Sequence, residues 1–247
     1  METAGFFDIH SHVLPSGDDG AASLADSVEL CRVAAASGTA VLYGTPHLLV
    51  SVDANLPLDK ERERRVRAAH AELAQTVHDG YGLDLRLGWE LGPGTPVEGG
   101  YGRIALQGTR AVLVEAPGPW FGLEPQYDDD VLVGECMRID RQGFLPVIAH
   151  PERCASIIRS PKLTLLLAEH GWPIQVNAQS LTGEHGRDSW MAAWTLLRLG
   201  LGEFVGSDGH NETRPPRLDL AYRAVSDELG LTRADALFRG EAFAKLL

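Results

Sequence analysis

The residues able to do chemistry collect at the ends of short apolar runs. His10 and His12 follow Phe6-Phe7-Asp8-Ile9, and His47 follows Ala40-Val41-Leu42-Tyr43. Glu90, Glu115 and His150 each close a run of their own, and Asn177, Asp208 and His210 complete the series. In parallel sheets and barrels alike, sites assemble at the C-terminal strand edge, so residues dispersed through a sequence converge there. His10-Ser11-His12 and Asp208-Gly209-His210 set their partners two apart, on one side of an extended chain, which is metal-ligand spacing. His70, His78, His170 and His185 fall in helices or loops and read as solvated structural histidines.

The turn Leu14-Pro15-Ser16-Gly17-Asp18-Asp19-Gly20 lies just past the first histidine pair, and its position makes one of its aspartates an oxygen-ligand candidate. Five imidazoles and four carboxylates are too many for one tetrahedral zinc, which takes three or four protein ligands. Two or three divalent ions are implied. Three of them would leave about two positive charges in surplus over the carboxylates, a match for a phosphate dianion. Nitrogen and oxygen donors without thiolate suit Mn, Fe or Zn. Arg153 and Arg214 follow His150 and His210 closely, where a guanidinium fork can clamp phosphoryl oxygens; a surface or loop-stabilising arginine is the competing reading for each. No G-x-S-x-G elbow, phosphate-binding loop or cysteine-phosphatase cradle occurs.

These residues need a scaffold of alternating strands and helices. Strands are predicted at 6–9, 40–43, 84–90, 110–115, 144–149, 173–177 and 203–207, and helices at about 24–37, 59–79, 127–142, 161–170, 187–199, 217–228 and 232–238. Ser23 with Asp26 three residues on reads as an N-cap and Gly38 as a stop. The run Asp59 to Arg65 reads as a solvated helix face with pairs such as Glu61 with Arg65, opposite a stripe of Val66, Ala69, Leu73 and Val77. Seven strands without a linker predict one α/β domain over 1–247, either a barrel or a doubly wound open sheet. With 22 Lys plus Arg against 34 Asp plus Glu, the net charge of −12 disfavours nucleic-acid binding. Cys31, Cys136 and Cys154 form no C-x-x-C and are expected as buried free thiols. No signal-like start or run of about 18 uncharged apolar residues occurs, so no membrane insertion and a cytoplasmic location are expected.

The segments DIHSHVLPSGDDG, TPH, GWE, LVEAP, PVIAHPER, QVNAQSLTG and SDGHNETRPP run in order over nearly the whole chain. In them the sequence resembles the PHP (polymerase and histidinol phosphatase) superfamily, and within it the metal-dependent protein-tyrosine phosphatases of bacterial capsule and exopolysaccharide synthesis, the CpsB/YwqE type. The resemblance implies a distorted (β/α)7 TIM-like barrel with a trinuclear centre usually supplied with manganese. By motif position His10, His12, Glu90 and Asp208 would hold one ion; Glu90, Glu115 and His150 a second; Asp19, His47 and His210 a third. Asp19 is taken over Asp18 on this match. Arg153 and Arg214 match arginines implicated in phosphate binding. The implied activity is hydrolysis of a phosphotyrosyl protein, with a bacterial tyrosine kinase as a candidate partner. A small-molecule phosphatase, a phosphodiesterase and a metal-stabilised binding module are the competing readings. Leu48, Ala116 and Cys154 depart from the family pattern and are expected at the rim, and Trp120 and Phe121 are expected either to border the substrate ring or to pack on the barrel top.

Overall fold

In a computed structural model of the chain, the described residues are 5–50, 55–116, 125–154, 157, 158, 165, 167 and 169–247. The fold is mixed α/β with parallel sheets. Strands β1 (Phe6–Asp8), β2 (Thr39–Gly44) and β5 (Asp84–Leu87) form one parallel sheet in the order β1-β2-β5. The second sheet contains β3 (His47–Val50), β4 (Asn55–Leu56), β6 (Glu90–Leu91), β7 (Ala111–Glu115), β8 (Leu145–Ala149), β9 (Ile174–Asn177) and β10 (Gly202–Gly206). Its order is β10-β9-β8-β7-β6-β3-β4, with only the β3–β4 edge antiparallel. β7 and β9 are buried along their whole length; in β7 this goes with the apolar run Ala111–Val114, whereas β9 carries the buried polar residues Gln175 and Asn177.

One predicted strand divides in two, and the short strands β3 and β4 were not anticipated. The run 84–90 breaks at Gly88-Trp89 into β5 and β6, and the chain after β2 turns at Thr45-Pro46 into β3. Both kinks occur side by side, with Gly88 N donating to Gly44 O (3.0 Å) and Glu90 N to Pro46 O (3.2 Å). Proline offers no ladder donor there, and a Cβ on Gly88 would stand 2.4 Å from Leu106 Cδ2. The shared kink carries both chains from one sheet into the other and sets His47 opposite Glu90. At the far side Asp208 N donates to His10 O (2.9 Å) and His12 N to Gly209 O (2.7 Å), joining the segments that follow β1 and β10.

The helices largely follow the predicted signals. In α1 (Leu24–Ala36) the Ser23 hydroxyl accepts from Asp26 N at 3.2 Å. In α2 (Lys60–Tyr81) Asp59 accepts from Arg62 N at 2.7 Å, and Gly82 ends it in the left-handed conformation at φ 67°. α3 (Pro125–Arg141), α5 (Arg187–Arg198), α6 (Asp219–Leu229) and α7 (Leu231–Phe238) match predicted segments, whereas the one-turn α4 (Ala178–Thr182) and α8 (Gly240–Phe243) were not anticipated. The predicted helix at 161–170 lies mostly outside the described residues. Glu61 pairs with Arg64 at 2.8 Å rather than with Arg65. The three cysteines are buried and form no disulfide, and burial pushes the Cys31 thiol up to about 12. No helix among the described residues is long and apolar enough to cross a membrane.

Candidate metal centre

All nine predicted ligand residues converge in space. They form four overlapping groups whose ligand atoms lie within 4.8 Å of one another: His12, Asp19, His47 and His210; His10, His12 and Asp208; His10, Glu90 and His150; His47, Glu90 and Glu115. Local hydrogen bonds hold each contributor. Ser11 N donates to Thr45 Oγ1 (3.1 Å) and Thr45 N to Ser11 O (2.7 Å), fixing the backbone between the two histidines. Asp8 Oδ1 accepts from His10 N (3.2 Å) and Ser207 N (3.0 Å), tying the two arms of the site. The acidic turn folds back so that Ala21 N donates to His12 O (2.9 Å), and a Cβ on Gly20 would lie 2.3 Å from that oxygen. Glycine after the paired aspartates is therefore a steric necessity.

Among the described residues only His150 (φ 35°) and Asp208 (φ 51°) are non-glycine residues with positive φ. Such conformations cost on the order of 1–3 kcal/mol each and persist where surrounding structure over-determines them. Both belong to the nine.

The hydrogen-bond network fixes the tautomers. Gln175 Nε2 donates to Val176 O (2.9 Å), so its Oε1 faces His10 Nδ1 (2.9 Å) and that nitrogen carries the hydrogen. Asp18 Oδ2 stands 3.5 Å from His12 Nδ1, and Asp208 O lies 2.7 Å from His210 Nδ1, with the same consequence. The Nε2 lone pairs of His10 and His12 then face each other at 3.2 Å. Glu90 Oε2 lies 3.2 and 3.3 Å from these two nitrogens, and Asp208 Oδ1 lies 3.6 and 3.4 Å away. Facing ring nitrogens crowded by two carboxylates call for positive charge between them, a proton or a cation. Glu90 also reaches His47 Nδ1 (3.0 Å) and, through Oε1, His150 Nε2 (3.0 Å), while Asp19 Oδ1 lies 3.5 and 3.4 Å from the Nε2 atoms of His47 and His210.

Electrostatics without ions point the same way. Burial pushes the Glu90 carboxyl up, yet His10 and His47 outweigh it and hold Glu90 well below the carboxylate range; Asp208 is held down likewise against burial by His12 and His10. Burial lowers the His47 imidazole, but Glu90 and Glu115 carry it up to about 9. Protons thus compete for the positions cations would take, and ion binding must release them.

Asp208 links this cluster to the arginines. Its Oδ2 accepts from Arg153 Nη1 (2.6 Å), Arg214 Nη2 (2.8 Å) and Asn177 Nδ2 (2.9 Å). Both arginines line a cavity of about 620 Å³ together with Asp19, His47, Glu115, His150, Asp208 and His210. Leu49 and Leu56 of the β3–β4 hairpin add an apolar wall. Arg214 Nε is buried with no hydrogen-bond partner among the described residues.

Three contributors escaped the sequence reading, and Asp18, set aside there in favour of Asp19, has a role of its own. Gln175 and Asp18 hold imidazole Nδ1 atoms, and Asp18 Oδ2 also accepts from His47 N at 3.0 Å. Glu152 is buried and accepts from Asn177 N at 2.9 Å. Arg62, assigned to a solvated face, is buried instead. Its position was legible as four residues before Val66, on the apolar stripe.

Three further expectations are corrected. His185 is half-buried against Ser180 Oγ (3.0 Å), and burial with Arg153 pushes it down to about 4, so it is packed and neutral rather than solvated. His70 is likewise half-buried on Leu85 O (3.1 Å), whereas His78 and His170 are exposed. Leu48, Ala116 and Cys154 are buried in the core and do not line the cavity. Trp120 and Phe121 lie outside the described residues.

Comparison with known proteins gives the relationship. Residues 6–246 match the family model for capsular polysaccharide synthesis, CpsB/CapC. The tyrosine-protein phosphatase YwqE of Bacillus subtilis is 32% identical over 228 residues, covering 90% of this chain and 85% of that protein. The putative tyrosine-protein phosphatase CapC of Staphylococcus aureus is 26% identical over 235 residues, covering 90% and 86%. A solved structure from the pair YwqE of Bacillus subtilis and CpsB of Streptococcus pneumoniae, described as metal-dependent tyrosine phosphatases, has a TM-score of 0.76 at 29% identity and covers 92% of this chain and 89% of its own.

Proposed function

The chain belongs to the CpsB/CapC family of capsular polysaccharide synthesis, and from that premise we propose that it is a metal-dependent protein-tyrosine phosphatase. The observation that carries the reading is the pair of Nε2 atoms facing at 3.2 Å between Glu90 and Asp208, with two arginines on the far oxygen of Asp208. We read the site as holding two or three divalent ions, manganese foremost, with iron or zinc as the other candidates. His10, His12, Glu90 and Asp208 hold the first; Glu90, Glu115 and His150 the second; Asp19, His47 and His210 the third. When bound, such ions acidify water and neutralise phosphoryl oxygens.

The chain's own groups then bind and orient. Arg153 and Arg214 take the equatorial phosphoryl oxygens, and the unpartnered Nε–H of Arg214 supplies a donor already desolvated for an anion. Leu49 and Leu56 offer the tyrosyl ring an apolar surface beside the cluster. A phenolate leaving group has a pKa of about 10, so departure needs little proton assistance, and no protein nucleophile is required.

The scaffold in this reading is one domain over 1–247, a distorted (β/α)7 TIM-like barrel of the PHP type. β2 with β3 and β5 with β6 count as single kinked staves, and the contacts between the segments after β1 and β10 close the ring. The substrate is a phosphotyrosyl protein in the cytoplasm, with a bacterial tyrosine kinase as partner.

The test is phosphate release from a phosphotyrosyl peptide after chelation and re-addition of Mn²⁺, beside a phosphoseryl peptide, histidinol phosphate and a diester. Metal-dependent release favouring phosphotyrosine is expected. Preference for histidinol phosphate or the diester overturns the substrate class, and retained metal without release from any of them overturns catalysis.

A further inference from the structure

Arg62 sits in the charged first turn of α2, yet only 5% of it is exposed. A guanidinium carries five N–H donors, and every one here has an acceptor. Nε donates to Ser16 O (3.2 Å), Nη2 to Ser16 Oγ (3.2 Å) and His47 O (2.8 Å), and Nη1 to Leu56 O (3.1 Å) and Pro57 O (3.5 Å). Its Cζ lies 5.5 Å from the centroid of the Trp89 ring, next to Glu90. One side chain thus ties the acidic turn to the strand that begins at His47 and to the hairpin that walls the cavity.

We propose that Arg62 is a positioning residue that sets the geometry of Asp19, His47 and His210, and so the affinity for the ion these three hold. The inference rests on the metal-centre reading above. Its selectivity follows from how the groups are built. His10, Glu90 and His150 are anchored at strand ends by ladder bonds and by Gln175, whereas Asp19 projects from a turn with its side chain 64% exposed. That turn is held at Ser16 by Arg62 and at Asp18 by His47 N, whose own strand Arg62 also grips. Lysine keeps the charge but has three donors on one atom and cannot span these acceptors.

The experiment counts ions per chain by mass spectrometry after equilibration with Mn²⁺, and titrates Mn²⁺ into chelated protein by calorimetry, for wild type, Arg62→Lys, Asp19→Asn and the double variant. Groups that orient ligands typically contribute about 10–100-fold in metal affinity. Arg62→Lys is expected to weaken one ion site by that factor and spare the others. Asp19→Asn is expected to weaken the same site, with the double variant losing less than the two losses combined. Wild-type ion number and affinities in folded Arg62→Lys, or equal weakening of all sites, would overturn the inference. Should Arg62→Lys not fold, Ser16→Ala removes one of the five acceptors, and unchanged affinity in it at the site that Asp19→Asn weakens would overturn the inference too. Absence of Mn²⁺ binding by the wild type would instead overturn the metal-centre reading.

Discussion

Replacing Asp208 with asparagine isolates the charge that joins the ion cluster to the arginines. Asparagine tolerates the left-handed conformation at φ 51° as aspartate does, so the backbone is spared. The amide cannot serve both sides. If its NH2 faces Arg153, Arg214 and Asn177, a donor meets three donors; if it faces His10 and His12, a donor displaces the anionic oxygen beside the ion position, and only a neutral carbonyl is left for the arginines. Hydrogen bonds to charged groups contribute roughly 1.5–3 kcal/mol each. The two guanidinium side chains are 20% and 30% exposed, which favours the lower bound. Two such bonds amount to about 3 kcal/mol, or a fall of about 100-fold in kcat/KM. The assay is phosphate release from a phosphotyrosyl peptide in saturating Mn²⁺, with ion content measured on the same sample. Activity within about threefold of wild type at full ion content would refute the assignment of Asp208 as the link.

Glu90→Ala should lower ion content and activity together, because Glu90 touches four imidazoles, whereas Arg153→Ala should lower activity by about 100-fold with ion content retained; normal turnover in an ion-depleted Glu90 variant sinks the cluster. Chelation should lower the thermal midpoint by about 5–10 °C relative to protein at roughly 100 times the dissociation constant in Mn²⁺, and an unmoved midpoint counts against binding to the folded state. Burial pushes Glu152 up to about 7, above the range of an unfolded chain, despite the Asn177 N–H it accepts. Between pH about 4.5 and 7 the unfolded chain releases a proton the folded one retains, so this stabilising contribution is full at acid pH and lost as pH rises, a change of about 3 kcal/mol. Glu152→Gln keeps the acceptor without the titration, and denaturant unfolding of metal-free protein should show it gaining on wild type by about 3 kcal/mol from pH 5 to pH 8; a constant difference contradicts the burial argument.

Much of the site could be read from residue type and position along the chain. Parallel strands deliver their C-terminal residues to one edge, so a list of polar groups after apolar runs was already a list of neighbours, and H-x-H and D-G-H spacing set which of them share a side. The Ser23 cap was local as well, since a capping oxygen reaches only the next turn. Other features depend on pairing between distant segments, which no local period encodes. Gly88 and Pro46 kink together because two strands lie side by side, and that kink alone brings His47 opposite Glu90. The hydrogen on His10 Nδ1 is set by a glutamine 165 positions away. Arg62 shows the boundary between the two kinds of information. Its place on the α2 stripe hinted that it faces inward, but a buried guanidinium is stable only where five acceptors are already arranged around it, and those come from Ser16, His47, Leu56 and Pro57 once the chain has folded.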